Sequence, residues 1–198
     1  WKWGDSPRSG SVRRGILAAI ESMPDYVGFW DADLATPLNA ISEFIDIAEH
    51  RPDIEMIVGS RVRLLGRRIE RRPSRHYLGR IFATAVSVIL ALEIYDTQCG
   101  AKLFRVSPSI RELFEQPFLS RWIFDVEMIA RLIHSRRGTT LREARHVIYE
   151  YPLMDWRDVP GSKLNYGDFI RATWELFRIW HRYFHDQPVR SAGRSLSS

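Results

Sequence analysis

The chain has 198 residues, 45% hydrophobic and 27% charged, one domain's worth of ordinary soluble-protein sequence with enough apolar mass for a real core. A single cysteine, Cys99, excludes an internal disulfide and suits a reducing compartment, and six histidines without ligand spacing exclude a Cys/His metal centre. The net charge of +5 is uneven: arginines at 61, 63, 67, 68, 71, 72, 75 and 80 face one acid, Glu70, and lysine occurs only at 2, 102 and 163. Guanidinium forks grip oxyanions in a bidentate way, so this cluster suits nucleic acid, an anionic membrane surface or a diphosphate substrate; its bland alternative is a solvated face.

In chain order, residues 1–8 read as a loop and Ser9 to Met23 as an amphipathic helix with Val12, Ile16, Ala19 and Ile20 inward. Tyr26 to Trp30 is a short aromatic run that predicts a buried strand. It ends in Asp31-Ala32-Asp33, and Pro37 then opens a helix to His50 with Leu38, Ile41, Ile45 and Ala48 inward. Ile54 to Val58, apolar but for Glu55, reads as a strand buried on both faces and stops at Gly59-Ser60-Arg61. This rhythm predicts an α/β domain with a mainly parallel sheet.

The arginine-rich stretch leads into a helix over 74–92, too short in its apolar part to span a bilayer. It is either a core helix or one lying at a membrane surface. Asp96-Thr97-Gln98-Cys99-Gly100 turns into a strand carrying Lys102, Leu103 and Phe104. Short helices are predicted over 108–114 and from 121 to about 134, then a strand over 143–151 and a loop over 156–164. Tyr166 to Phe184 reads as an amphipathic helix rich in Trp, Phe and Arg, and 187–198 as a disordered tail. No repeat or linker divides residues 1–186.

Two carboxylates one residue apart at a strand end can share a site, and like charges that close call for a cation. The chemistry that fits is Mg²⁺ or Mn²⁺ held by one or two carboxylates and by nucleotide phosphates; the competing reading is a capping Asp33 beside a solvated Asp31. The acid pair also argues against nucleic acid as the partner, since carboxylates in the groove repel a polyanion.

Taken together, Asp31-Ala32-Asp33, Gly59-Ser60-Arg61, Asp96-Thr97-Gln98-Cys99-Gly100 with Lys102-Leu103-Phe104, Arg121-Trp122 with Phe124-Asp125-Val126-Glu127, and Gly161-Ser162-Lys163-Leu164 resemble an inverting family-2 glycosyltransferase. The resemblance is to the dolichyl-phosphate β-glucosyltransferase and bacterial polyprenyl-phosphate glycosyltransferase branch. It implies a type-A, Rossmann-like fold. Ala35 stands where the related mannosyltransferases carry a metal-holding Gln, a departure that the glucosyl branch shares. The family's first strand, with its Pro-x-Tyr-Asn-Glu turn, and the base-holding Asp of its second strand find no match. Residues 1–186 are therefore expected to be a partial catalytic domain, inactive alone.

The resemblance implies transfer of a sugar, best assigned as glucose, from a donor such as UDP-glucose to a polyprenyl or dolichyl phosphate at the cytoplasmic membrane face. Asp31 and Asp33 would hold Mg²⁺ or Mn²⁺, with Asp33 primary. Arg157, Ser162 and Lys163 would close on the donor diphosphate. Ser60, Arg61, Arg71 and Arg75 would hold the acceptor phosphate. Asp96 and Gln98 would line the sugar pocket, and Asp125 and Glu127 either touch the sugar or pair with Arg121. Two alternatives stand beside this: transfer to a hydroxyl acceptor, with Asp125 as base, and a non-catalytic arginine-rich membrane-binding module.

Overall fold

The computed structural model describes residues 7–70, 73–157 and 166–185. Its elements are α1 (Pro7–Ile20), β1 (Tyr26–Trp30), α2 (Ala40–His50), β2 (Met56–Ser60), β3 (Arg68–Glu70), α3 (Pro73–Leu90) and β4 (Ala101–Arg105). They continue with α4 (Pro108–Glu115), α5 (Phe124–Arg136), β5 (Ile148–Pro152), β6 (Asp155–Arg157) and α6 (Tyr166–Trp180), which runs into a π-helical turn at His181–His185.

The main sheet has the order β1-β4-β2-β5. Here the mainly parallel expectation is corrected. β4 inserts between β1 and β2 and runs antiparallel to both, so only β2 and β5 pair in parallel. β1, β2 and β5 still point the same way, which is the part of the pattern that helix–strand alternation carries. Reversed β4 brings its N-terminal end, and the 96–100 turn before it, to the carboxyl ends of β1 and β2.

Strand periodicity sorts side chains onto two faces. Met56, Val58 and Phe104 join a large core with α1, α3, α4, α5 and α6, while Ile57, Ala101 and Leu103 pack on α2 with Phe44 and Leu153. All five residues of β2 are buried, and the strand starts two residues later than the run read from 54 and includes Gly59 and Ser60. Lys102 falls on the same face as Phe104 and is fully buried beneath α5.

Several local expectations are corrected. α2 begins at Ala40, because residues 37–39 form turns in which Pro37 and Leu38 carbonyls accept from Ala40 and Ile41. Its buried stripe is Ala40, Phe44 and Ala48, while Leu38 is exposed, because Phe44 rather than Ile41 or Ile45 fills the space over the sheet. The strand predicted from 143 starts at Ile148, after a 3₁₀ turn at Ala144–His146. Trp156 and Arg157, expected in a loop, belong to β6 (Asp155–Arg157), which pairs in parallel with β3. The tail over 187–198 lies outside the described residues.

Candidate functional site

The carboxyl end of the sheet gathers three loops. After β1, the Asp31 N–H donates to Gly100 O at 2.7 Å, extending the β1–β4 ladder by one step. This seats the Asp31 carboxylate directly against Gly100: a Cβ built on Gly100 would lie 1.9 Å from Asp31 Oδ2. Only glycine permits this approach. Arg8 Nη2 donates to the same carboxylate at 2.7 Å.

Asp33 is exposed, and its Oδ1 accepts from Ala35 N at 3.1 Å. That is a local turn contact and not the helix cap weighed against metal binding, since α2 begins only at Ala40 with Asn39 at its N-cap. Leu34, next in the chain, has φ of 53°, a left-handed conformation that costs a non-glycine residue on the order of 1 kcal/mol. The Ala35 carbonyl accepts from Arg157 N at 3.2 Å, so the end of β6 borders the acidic loop. Thus Asp31, Asp33 and Arg157, far apart in sequence, belong to one neighbourhood.

Arg61, just beyond β2, is gripped by Asp96. Its backbone N–H, Nε and Nη2 donate to the Asp96 carboxylate at 3.1, 2.6 and 2.8 Å. The guanidinium lies over the Trp156 ring at 5.2 Å. Burial alone would lower the Arg61 pKa, but the Asp96 carboxylate outweighs it and holds the value above the ordinary one, with Asp31 adding in the same direction. Arg61 and Asp96, read from sequence as separate acceptor and sugar contacts, are therefore one ion-paired unit. Ser60 Oγ beside it is buried without a hydrogen-bond partner, and Gln98 is half-buried in the same turn.

Cys99 is fully buried; burial pushes its thiol up to about 11, with Asp96 nearby adding to the rise, so it is packed and not a nucleophile. Lys102 Nζ donates to Asp125 Oδ1 at 2.6 Å and to the Cys99 carbonyl at 2.7 Å. This corrects the Arg121 pairing, since Asp125 faces the β4 lysine, and Glu127 takes Arg131, Tyr183 Oη and Ser120 N instead. The reason is register: Lys102 is on the α5-facing side of β4, whereas Arg121 precedes the helix and is exposed. At 3% exposure and ion-paired, Asp125 is not placed to take a proton from a substrate hydroxyl.

Arg71, Ser162 and Lys163 lie outside the described residues, as does the side chain of Arg75, whose backbone is in the first turns of α3. Sequence reading missed Arg8, Trp156 and Glu150. Lys102 had a visible signal: one of three lysines, inside an otherwise apolar strand.

The residues present fit a hard divalent cation. Among the described residues there is no cluster of three or more His, Cys, Asp or Glu, so a cation held at Asp31 and Asp33 would need its other ligands from outside the protein. Two oxygen ligands with the rest from phosphate and water is the habit of Mg²⁺ at nucleotide sites.

No family model matches the chain. It is similar to curated dolichyl-phosphate β-glucosyltransferases: 29% identical over 181 residues to that of Dictyostelium discoideum, 30% over 182 residues to that of Drosophila melanogaster, and 31% over 188 residues to that of Saccharomyces cerevisiae. Each match covers 89% of this chain and 51–52% of the relative. The chain thus spans about half the length of the curated relatives it matches.

Proposed function

We propose that the protein containing this chain is a glycosyltransferase of type-A, Rossmann-like architecture, and more particularly one that moves glucose from UDP-glucose to dolichyl or polyprenyl phosphate with inversion. The observation that carries this reading is the convergence of the Asp31–Asp33 loop, the Arg61–Asp96 pair and Arg157 at one sheet end, in a chain similar over most of its length to dolichyl-phosphate β-glucosyltransferases.

An acceptor phosphate oxygen forms the bond to the anomeric carbon as the bond from that carbon to the diphosphate breaks, and UDP leaves with the electron pair. A phosphate monoester with second pKa near ~6 is already largely dianionic at neutral pH, so no general base is required. That matches the sequestration of Asp125 by Lys102 and favours a phosphate over a hydroxyl acceptor. Asp33 and Asp31 would hold Mg²⁺ or Mn²⁺, which when bound would supply positive charge to offset that of the departing diphosphate. Arg157 borders that diphosphate, with Ser162 and Lys163 from the following segment. Ser60, Arg61, Arg71 and Arg75 form the acceptor-phosphate side, Ser60 Oγ being a buried donor with no acceptor of its own. Asp96 and Gln98 face the sugar, Asp96 while gripping Arg61.

The protein works as a peripheral enzyme at the cytoplasmic membrane face. No helix among the described residues is long and apolar enough to cross a membrane. α3 buries Phe82, Val86 and Leu90 but exposes Ile81 and Val88; α6, packed against it, exposes Ile170, Arg171, Trp174 and Phe177, and the turn that follows exposes Arg182. Apolar and aromatic residues rimmed by arginine fit the headgroup–acyl boundary of an anionic bilayer. Trp174→Glu with Phe177→Glu in the full-length protein is expected to weaken sedimentation with phosphatidylserine vesicles about tenfold or more; unchanged sedimentation would remove α6 from the membrane face.

The transfer itself is tested by offering the full-length protein radiolabelled UDP-glucose with either dolichyl phosphate or an oligosaccharide. Label in acid-labile lipid is expected. Label in the oligosaccharide, or none in either, overturns the reading.

A further inference from the structure

We propose that Glu150 is a positioning residue: by seating the Tyr95–Asp96 backbone it sets the angle at which Asp96 presents Arg61. Glu150 is the central residue of β5 and half-buried. Its carboxylate accepts from Tyr95 N at 2.9 and 3.1 Å and from Asp96 N at 2.7 Å. Two consecutive backbone N–H groups converging on one carboxylate make a small anion-holding nest, filled here by the protein's own acid.

The consequence lies one residue further on. Asp96 is 6% exposed, and its carboxylate is the acceptor for the Arg61 backbone and guanidinium. The direction of the Asp96 side chain follows from the backbone to which it is attached, and Glu150 holds that backbone from β5. The other contacts agree. Arg80 lies over the Tyr95 ring at 3.8 Å, and Trp156, six residues beyond Glu150, lies under Arg61. Behind Glu150 is a cleft of about 450 Å³, lined also by Leu92, Ile94, Arg145 and His146. Hydrogen bonds, more than close packing, therefore hold the carboxylate in place.

Two carboxylates so near one residue repel each other, and each needs its own donors. Glu150 takes backbone N–H groups and Asp96 takes the guanidinium. Glutamine at 150 keeps the size but turns an amide donor toward one of the two N–H groups, so the nest opens. A shift of about 1 Å in a positioned group costs on the order of 10²-fold in turnover.

The catalytic half of this inference rests on the proposed transfer; the structural half does not. Amide hydrogen exchange is measured by NMR on the full-length protein, wild type and Glu150→Gln, with Glu150→Asp as a second variant should the first not fold. Faster exchange at the Arg61 amide, by about tenfold or more with global melting little changed, is expected. Acceleration confined to Tyr95 and Asp96 makes Glu150 a local cap and overturns the proposal. In turnover, Glu150→Gln should lower kcat/KM about 10²-fold alone but add less than threefold to Asp96→Asn, because both act through one contact. Losses that multiply in full overturn it too. A wild-type protein without transfer activity defeats the proposed function instead, and the Arg61 amide then decides this inference.

Discussion

Gly100→Ala is expected to lower glucosyl transfer by 10²-fold or more while the protein still folds. The added methyl would start 1.9 Å from Asp31 Oδ2 and 2.1 Å from its Cγ, so the carboxylate must leave. Its departure also breaks the ion pair with Arg8. Asp31 is partly exposed and has room to swing outward, which keeps the stability cost to about 1–3 kcal/mol of local overpacking. A misplaced charge at a reacting centre costs far more in rate than in stability. kcat/KM and thermal melting of the full-length variant check this together; turnover within threefold of wild type would show that Asp31 has no part in the reaction.

Lys102→Met is expected to cost about 3–5 kcal/mol, a large share of the ~5–15 kcal/mol that holds a domain folded. Lys102 is fully buried, and its partner Asp125 would keep a buried charge with no cation beside it. The Cys99 carbonyl would also lose its donor, loosening the turn that carries Asp96 and Gly100. Combining Lys102→Met with Asp125→Leu should restore most of the loss, since a buried pair replaced by apolar side chains of similar volume is often neutral. Urea unfolding of both variants measures it, and a single variant within 1 kcal/mol of wild type would contradict the role assigned to this pair.

What could be read from sequence followed from local pattern. β2 announced itself through the apolar Met56, Ile57 and Val58, which the structure buries with Gly59 and Ser60. α1 was legible from the spacing of Ile16 and Ile20. Strand direction was not, because nothing in Ala101 to Arg105 tells which neighbour it will lie beside or which way it will run. β3 was hidden because Ile69 alone carries its burial within a run of charges, and its support comes from β6, over 80 residues away. In the site, Asp31 and Asp33 were visible as a spacing, and Arg61 and Asp96 as separate residues. That Arg61 and Asp96 grip each other, that Arg8 meets Asp31, and that Glu150 seats the turn all depend on tertiary placement. Polar contacts between distant segments leave no periodicity to read.

The acids after β1 are proposed to hold a divalent ion together with a nucleotide diphosphate. Electron paramagnetic resonance of Mn²⁺ titrated into the full-length protein with UDP tests it most directly. One bound Mn²⁺ per chain that requires UDP is expected, with affinity falling at least about tenfold in Asp33→Asn. Equal Mn²⁺ binding by wild type, Asp31→Asn and Asp33→Asn, with or without UDP, would contradict it.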